Sequence, residues 1–368
     1  MQMFQDFLDR SKQLNQAPHQ LKLEQLPFHA PNQKYKIIHQ GLMIPNLPAP
    51  LHYLNFLSLI GQPNAPMLRN DSAIQTHPLD TATVLVSSSP HMVGQLSSYS
   101  VEKECYFKPA LFQFGGREQL EGHFPEFRVQ RLDSELSFDL KIRTTPVISY
   151  FTKLRMGLAD HWSLLCECSG QLQYKQQHYQ IQQLGSFEYA RAINFPYLPL
   201  AFFTYQVINL QQQRQLLLAQ VRDRFNRILQ SRMYLRDLSG GQSQLFDEGV
   251  YFKVHRVYPA VMTPNRQSMY LPREFEWCYS GADGTRIHIQ AQSRGDFKFG
   301  LAAGYVGSFH YQVKINDVEE QGEGGYCEYI DCRALKWQEK NQAEKLGDHL
   351  ANPVPFLVKK KNKCIFVE

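Results

Sequence analysis

The stretch HWSLLCECSGQLQYKQQHYQIQQLGSFEYARAI, residues 161–193, decides the fold class. Apolar and polar residues alternate along most of it with a period of two, and no apolar stripe with helical spacing runs through it. Such alternation is typical of antiparallel strands that bury one face. We expect residues 161–170 to form one strand and the remaining residues to form two or three more.

The rest of the chain from about residue 80 onward repeats this style. Short alternating runs are interrupted every 8 to 15 residues by Gly, Pro, Ser or Asn, a spacing typical of sandwiches and barrels. One segment, residues 213–238, also fits a helix, because Leu217, Val221, Phe225 and Ile228 have helical spacing. A hairpin that turns at residues 223–227 is the alternative for that segment.

A short motif occurs twice. Residues 185–189 read GSFEY and residues 325–329 read GYCEY, with an offset of 325 − 185 = 140. Residues 170–174 (GQLQY) and 307–311 (GSFHY) share a second pattern, with an offset of 307 − 170 = 137. Two signatures in the same order at nearly one offset predict an internal duplication.

Size and composition favour a globular protein with two domains. The chain has 368 residues, of which 43% are hydrophobic and 12% aromatic, so it can bury a large core. The formal net charge of +5 is spread along the chain without a nucleic-acid motif, and nucleic acid is not expected as a partner. The most apolar segment, residues 41–61, contains three prolines and predicts no stable membrane insertion.

The cysteines indicate buried or free thiols. The seven cysteines lack the paired spacing of a zinc site, and an odd number does not suggest a disulfide framework. The first ten residues carry acidic charges and lack a continuous apolar core, which is unlike a secretory signal. These features predict a cytoplasmic protein, and the motifs indicate neither a metal nor a cofactor.

With the repeat in view, the chain resembles the tandem lipocalin-like (calycin) family that includes carotenoid hydratases and AttH-type proteins. HWSLLCECSGQL leading to GSFEYAR, AFFTYQVINL, and GYVGSFHY leading to GGYCEY carry the resemblance, which runs from about residue 80 to about residue 335. It implies an all-β fold of two lipocalin-like antiparallel barrels side by side, with a cavity for a hydrophobic molecule. It also favours strands over helix at residues 213–238.

The resemblance implies a division of the chain into four parts. Residues 1–75 would form an N-terminal helix and loop segment that packs on the barrels. Residues 76–198 and 199–340 would form the first and second barrels, and residues 341–368 a C-terminal tail or edge strand.

The repeated glutamates, Glu188 and Glu328, are the candidate catalytic residues. Held in an apolar environment, either could act as a general acid, because burial raises the pKa of a carboxyl group. The alternative is a structural role, with each glutamate hydrogen-bonded between the repeats. Hydratase-like members of the resembled family have His after the acidic residue, whereas this chain has Tyr189 and Tyr329. His161 could serve as a base, although a partly exposed histidine at a strand start is a common arrangement without a role.

These observations lead to three function classes. The first is the binding of a lipid-like or isoprenoid-like molecule in a cavity lined by aromatic residues. The second is an enzyme of the hydratase, isomerase or cyclase type with Glu188 or Glu328 as general acid, and the third is a pair of barrels filled by their own side chains. The sequence leaves the oligomeric state open. The aromatic residues expected to bind the ligand are Trp162, Tyr174, Tyr189, Trp277, Tyr311 and Tyr329.

Overall fold

The computed structural model describes residues 9–17, 21–91 and 95–333, and the predicted C-terminal tail at residues 341–368 lies outside them. The fold is all-β, as predicted, with two large barrel-like antiparallel sheets. Among the described residues, no helix is long and apolar enough to span a membrane.

The first barrel is an eleven-stranded sheet with the order β4-β3-β2-β1-β11-β10-β9-β8-β7-β6-β5. Its strands are β1 Ile37–Pro45, β2 Tyr53–Ile60, β3 Thr81–Ser88, β4 Leu96–Ser100, β5 Cys105–Lys108, β6 Leu111–Phe114, β7 Glu118–His123, β8 Glu126–Arg131, β9 Leu136–Lys153, β10 Ala159–Tyr174 and β11 Gln177–Ala192. The opening stretch therefore forms two strands of 16 residues each, fewer and longer than expected.

The second barrel is a ten-stranded sheet with the main order β15-β14-β13-β12-β23-β22-β20-β19-β16. Its strands are β12 Leu200–Asn209, β13 Arg214–Asp223, β14 Ile228–Asp237, β15 Gln242–Phe246, β16 Val250–Val257, β19 Pro272–Ser280, β20 Arg286–Ser293, β21 Lys298–Leu301, β22 Gly304–Ile315 and β23 Val318–Asp331. The short strands β17 Val261–Met262 and β18 Ser268–Met269 pair with each other, and β21 pairs with β22.

The N-terminal segment contains both expected and unexpected elements. The helix α1, Ser11–Gln16, packs against β9, and Asn15 Nδ2 donates to the Tyr150 carbonyl at 2.8 Å. The prediction of helix and loop for residues 1–75 is nevertheless wrong over β1 and β2, which lie inside the first sheet. Both strands are buried on both faces, since one face lines the first barrel and the other packs on the second, and this removes the alternation that would have revealed them.

The ambiguous segment at residues 213–238 is a hairpin, as the resemblance implied. β13 and β14 flank a turn in which Asp223 Oδ1 accepts hydrogen bonds from the backbone N–H groups of Phe225 and Arg227, at 2.8 and 3.0 Å. Asn226 takes a left-handed conformation with φ of 65°. Turn chemistry therefore overrides the helical spacing of the apolar residues.

The two Glu-Tyr motifs lie on corresponding strands, but the preceding glycine–tyrosine motifs do not match. Glu188 pairs with Ser163 and Glu328 pairs with Val306, an offset of 306 − 163 = 143 between the partner strands. The glycine–tyrosine motifs lie on these partner strands, β10 and β22, but they are 137 residues apart and not 143. They therefore occupy different positions along the two strands, and this half of the predicted repeat is wrong.

Three apolar clusters stabilise the described fold, one inside each barrel and one between them. In the cluster between the barrels, the rings of Tyr53 and Tyr326 lie 5.4 Å apart, and those of Phe151 and Tyr205 lie 5.9 Å apart. Since Tyr53 and Phe151 belong to the first barrel and their partners to the second, the outer faces of the two sheets pack directly on each other.

Candidate functional site between the barrels

Both repeated glutamates face the contact between the barrels. Along β11, Phe187 and Tyr189 point into the first barrel core, so strand alternation directs Glu188 outward. Along β23, Cys327 and Tyr329 point into the second core, and Glu328 is directed outward in the same way. Each glutamate is only 5% exposed. The motif thus places two carboxyl groups in one buried interface.

Glu188 lies between a tyrosine of the second barrel and two histidines of the first. Tyr205 Oη donates to Glu188 Oε1, and His161 Nε2 lies 3.3 Å from Glu188 Oε2. His39 Nε2 is 3.9 Å from the same oxygen. Burial by itself would raise the pKa of Glu188, but the interactions with His161 and His39 outweigh it and lower the pKa to about 2. Glu188 is therefore ionised at neutral pH.

The two histidines connect this buried carboxylate to solvent. The side chains of His39 and His161 are 21% and 27% exposed. His39 Nδ1 lies 2.8 Å from the Ser58 carbonyl, which fixes the ring with Nε2 directed towards Glu188. The His161 ring packs on Phe151 with centroids 4.7 Å apart. Both rings are held in place at the rim of the interface.

The pKa of Glu328 is shifted in the opposite direction. Tyr326 Oη donates to Glu328 Oε1 at 2.8 Å, and within the described ranges this carboxyl has no ion pair. Burial, together with the charge of Glu188, raises the pKa of Glu328 well above its ordinary value. Two neighbouring carboxyl groups whose pKa values are pushed apart are a common arrangement for an acid and a base in one site.

A fully buried arginine completes the polar network. Arg236 Nη1 donates to Ser186 Oγ at 3.2 Å, and Ser186 Oγ lies 3.1 Å from Tyr205 Oη, which connects the guanidinium to Glu188. Arg236 Nε donates to Ser149 Oγ at 3.1 Å. Burial lowers the pKa of Arg236, while the charges of Tyr205 and Glu188 act in the other direction. Arg236 thus provides positive charge behind the carboxylate.

Among the residues that the structure describes, two sets of side chains are close enough to hold a metal ion. His39, His161 and Glu188 form one set, and Glu276, Cys278 and His288 form the other, with ligand atoms in each set within 4.8 Å of one another. The sequence spacing did not reveal either set, because strand pairing brings together residues that are distant in the chain. The sequence also did not predict the histidine–glutamate contacts of the first set, although it offered His161 as a candidate base.

The aromatic residues expected to bind a ligand are dispersed. Trp162 and Tyr189 lie in the first barrel core with their rings 5.7 Å apart, and Trp277 lies in the second core, where its Nε1 donates to Gln206 Oε1 at 2.5 Å. Tyr329 packs edge-on against Phe202 in the second core. These four side chains are all nearly fully buried and contribute to packing inside the barrels.

The remaining two tyrosines lie elsewhere. Tyr174 is at the end of β10, where its hydroxyl donates to the Pro90 carbonyl at 3.3 Å. Tyr311 Oη donates to the Asn209 carbonyl at 2.9 Å and accepts from Asn46 Nδ2 at 2.9 Å, so it joins the two barrels. The structure does not gather the six aromatic residues around one cavity. Their ligand-binding role stays a prediction.

Comparison with known proteins identifies the family. Residues 57–344 match the model of DUF6670, a family of unknown function. The chain belongs to this family. No curated protein matches it.

Two solved structures of different proteins are similar to this DUF6670 member. One is a protein assigned as AttH from Nitrosomonas europaea, with a TM-score of 0.57 and 12% identity, covering 83% of this chain and 95% of that one. The other is kievitone hydratase from Nectria haematococca, with a TM-score of 0.53 and 11% identity, covering 80% of this chain and 89% of that one. At such low identity the similarity shows the shared lipocalin-like fold alone.

Proposed function

We propose that this protein is an acid–base enzyme of the hydratase or isomerase type that acts on a hydrophobic or amphipathic small molecule between the barrels. The observation that carries the proposal is the pair of buried carboxyl groups in one interface, of which Glu188 contacts two partly exposed histidines and Glu328 only a tyrosine hydroxyl. Kievitone hydratase, which shares the fold at 11% identity, is an example of this reaction class. The partly exposed side chains of His39 and His161 are the part of this site that solvent reaches.

The proposed roles follow from the hydrogen bonds. A neutral imidazole has one donor and one acceptor nitrogen. With its Nε2–H directed to ionised Glu188, His161 presents Nδ1 as the basic nitrogen that takes a proton from water or substrate. Glu188 orients this ring and stabilises the imidazolium that forms. Glu328 is the proposed general acid, because its burial raises the pKa and favours the protonated carboxyl group.

A carrier with its ligand inside a barrel receives less support. Phe28, from the N-terminal segment, packs inside the first barrel against Phe112, Phe127 and Tyr189, with ring centroids 5.0 to 5.5 Å apart. In the second barrel, Trp277 hydrogen-bonds across the interior. Aromatic side chains of the chain itself therefore occupy much of the space in which the sequence predicted a ligand.

Isotope incorporation tests the proposal. The wild-type protein is incubated in H₂¹⁸O and in D₂O with a panel of isoprenoid alkenes and α,β-unsaturated ketones, and products are analysed by mass spectrometry. We expect labelled water or solvent deuterium to be incorporated, with a loss of roughly 100-fold or more for His161→Gln and Glu188→Gln. His178→Gln, an exposed histidine on β11, is the matched control and should retain wild-type rates.

Two outcomes would contradict the enzyme proposal. Incorporation that survives both His161→Gln and Glu188→Gln would remove these residues from the chemistry. Binding of panel compounds by the wild-type protein without any incorporation would favour the carrier function instead.

A further inference from the structure

A second group of side chains that can bind a metal ion lies on the outer face of the second barrel, away from the glutamate pair. Phe275 and Trp277 of β19 point into the core, so strand alternation directs Glu276 and Cys278 outward together. His288 of β20 is the cross-strand partner of Cys278. Three side chains with carboxylate, thiol and imidazole groups thus share one patch of sheet surface.

The distances within this group suit one bound ion. The ligand atoms of Glu276, Cys278 and His288 lie within 4.8 Å of one another, and His288 Nε2 is 3.3 Å from Glu276 Oε2. With zinc–ligand bonds of about 2.0–2.3 Å, tetrahedral ligands lie roughly 3.3–3.7 Å apart. Small side-chain rotations would therefore bring all three groups into contact with one ion.

A fourth side chain supports this arrangement from β16. His255 Nε2 lies 3.1 Å from Glu276 Oε1, the oxygen that His288 does not contact. The pairing of β16 with β19 is irregular between Val254 and Arg256, and this irregularity falls at His255. Bulges of this kind commonly redirect a side chain at functional sites. His255 can thus fix the Glu276 carboxylate while the other oxygen binds a metal.

We propose that Glu276, Cys278 and His288 bind a zinc-class divalent cation, with His255 orienting Glu276 from the second coordination sphere. A ligand set of thiolate, imidazole and carboxylate favours Zn²⁺ over Mg²⁺ or Ca²⁺, which prefer oxygen ligands alone. His255 and Glu276 also border an open depression of about 690 Å³. Three protein ligands leave a fourth position on the ion, which faces solvent and can take water or a small anion.

Cobalt provides the direct test, because a cysteine thiolate bound to Co²⁺ gives a charge-transfer absorption band that other ligands do not. The full-length protein is stripped with a chelator, titrated with Co²⁺ and then with Zn²⁺ as competitor. We expect a thiolate-to-cobalt band that Zn²⁺ removes. Cys278→Ser should abolish the band, His288→Ala should abolish tight binding, and His255→Ala should weaken affinity by about 10–100-fold.

Two controls make the result specific. Lys253 is the cross-strand neighbour of Glu276 on β16, and Lys253→Ala should retain or increase affinity. The double variant His39→Ala/His161→Ala removes the set between the barrels and should leave the thiolate band unchanged. Circular dichroism confirms that each variant folds.

The proposal is overturned if the wild-type protein shows no thiolate band, if the band persists in Cys278→Ser, or if it disappears in the His39/His161 double variant. Each outcome is independent of the acid–base function proposed for the site between the barrels.

Discussion

Replacing Glu328 by glutamine should change the pH dependence of stability in a predictable direction. Glutamine has nearly the shape of a protonated carboxyl group and still accepts the hydrogen bond from Tyr326. In the wild-type protein, folded Glu328 keeps its proton at pH values where the unfolded chain, with a pKa near 4.5, has lost it. The folded state then binds one proton more than the unfolded state, so wild-type stability falls as pH rises.

The magnitude follows from linkage. One proton corresponds to a loss of about 1.4 kcal/mol of unfolding free energy per pH unit, from the unfolded pKa up to the folded pKa. The Gln variant lacks this contribution. The stability of the variant relative to wild type should therefore rise by about 1.4 kcal/mol between roughly pH 5 and pH 6.

Urea unfolding at several pH values, followed by tryptophan fluorescence, measures this difference. Glu188→Gln is the matched comparison, because the pKa of Glu188 is lowered in the folded protein. The ionised Glu188 carboxylate therefore stabilises the fold above pH 4.5, and this stabilisation is lost only as the pH falls towards about 2. Glu188→Gln should thus be less stable than wild type throughout the neutral range. A pH-independent difference between wild type and Glu328→Gln would refute the assignment of a neutral Glu328.

Three further changes test other parts of the structure. Tyr205→Phe removes the hydroxyl that donates to Glu188 and should cost about 1.5–3 kcal/mol, measured by urea unfolding. Gly325→Ala places a Cβ 2.5 Å from the Phe309 ring and should cost about 1–3 kcal/mol, seen as a lower Tm; an unchanged Tm would show that the ring moves freely. Burial lowers the pKa of Lys298 to about 8 in the folded protein. Between pH 8 and 10.5 the unfolded state therefore binds more protons than the folded state, and wild-type stability should rise across that range. Lys298→Met should lose this rise in a pH series of unfolding curves.

The sequence could predict the all-β fold because most strands bury only one face and keep their alternation. β1 and β2 escaped prediction for the opposite reason, since both of their faces are buried and neither strand shows a regular alternation of apolar and polar residues. The turn at Asp223 was recognisable as an alternative, but only its hydrogen bonds decide against the helical spacing.

The candidate site could be predicted only in part. Alternation correctly placed Glu188 and Tyr189 on opposite faces, and the repeat pointed to Glu328 as its counterpart. The partners of Glu188 were not predictable, because His39 is 149 residues away, 188 − 39, and Tyr205 belongs to the other barrel. Packing between two sheets leaves no periodic signal in a single sequence.

The central claim is that the two buried glutamates have opposite charge states, and carboxyl-carbon NMR tests it most directly. The protein is labelled with ¹³C at the glutamate carboxyl position, and Glu188→Gln and Glu328→Gln assign the two resonances. We predict that at neutral pH Glu328 shows the chemical shift of a protonated carboxyl group, whereas Glu188 shows that of a carboxylate and titrates only near pH 2. Two carboxylate resonances at neutral pH would contradict the account.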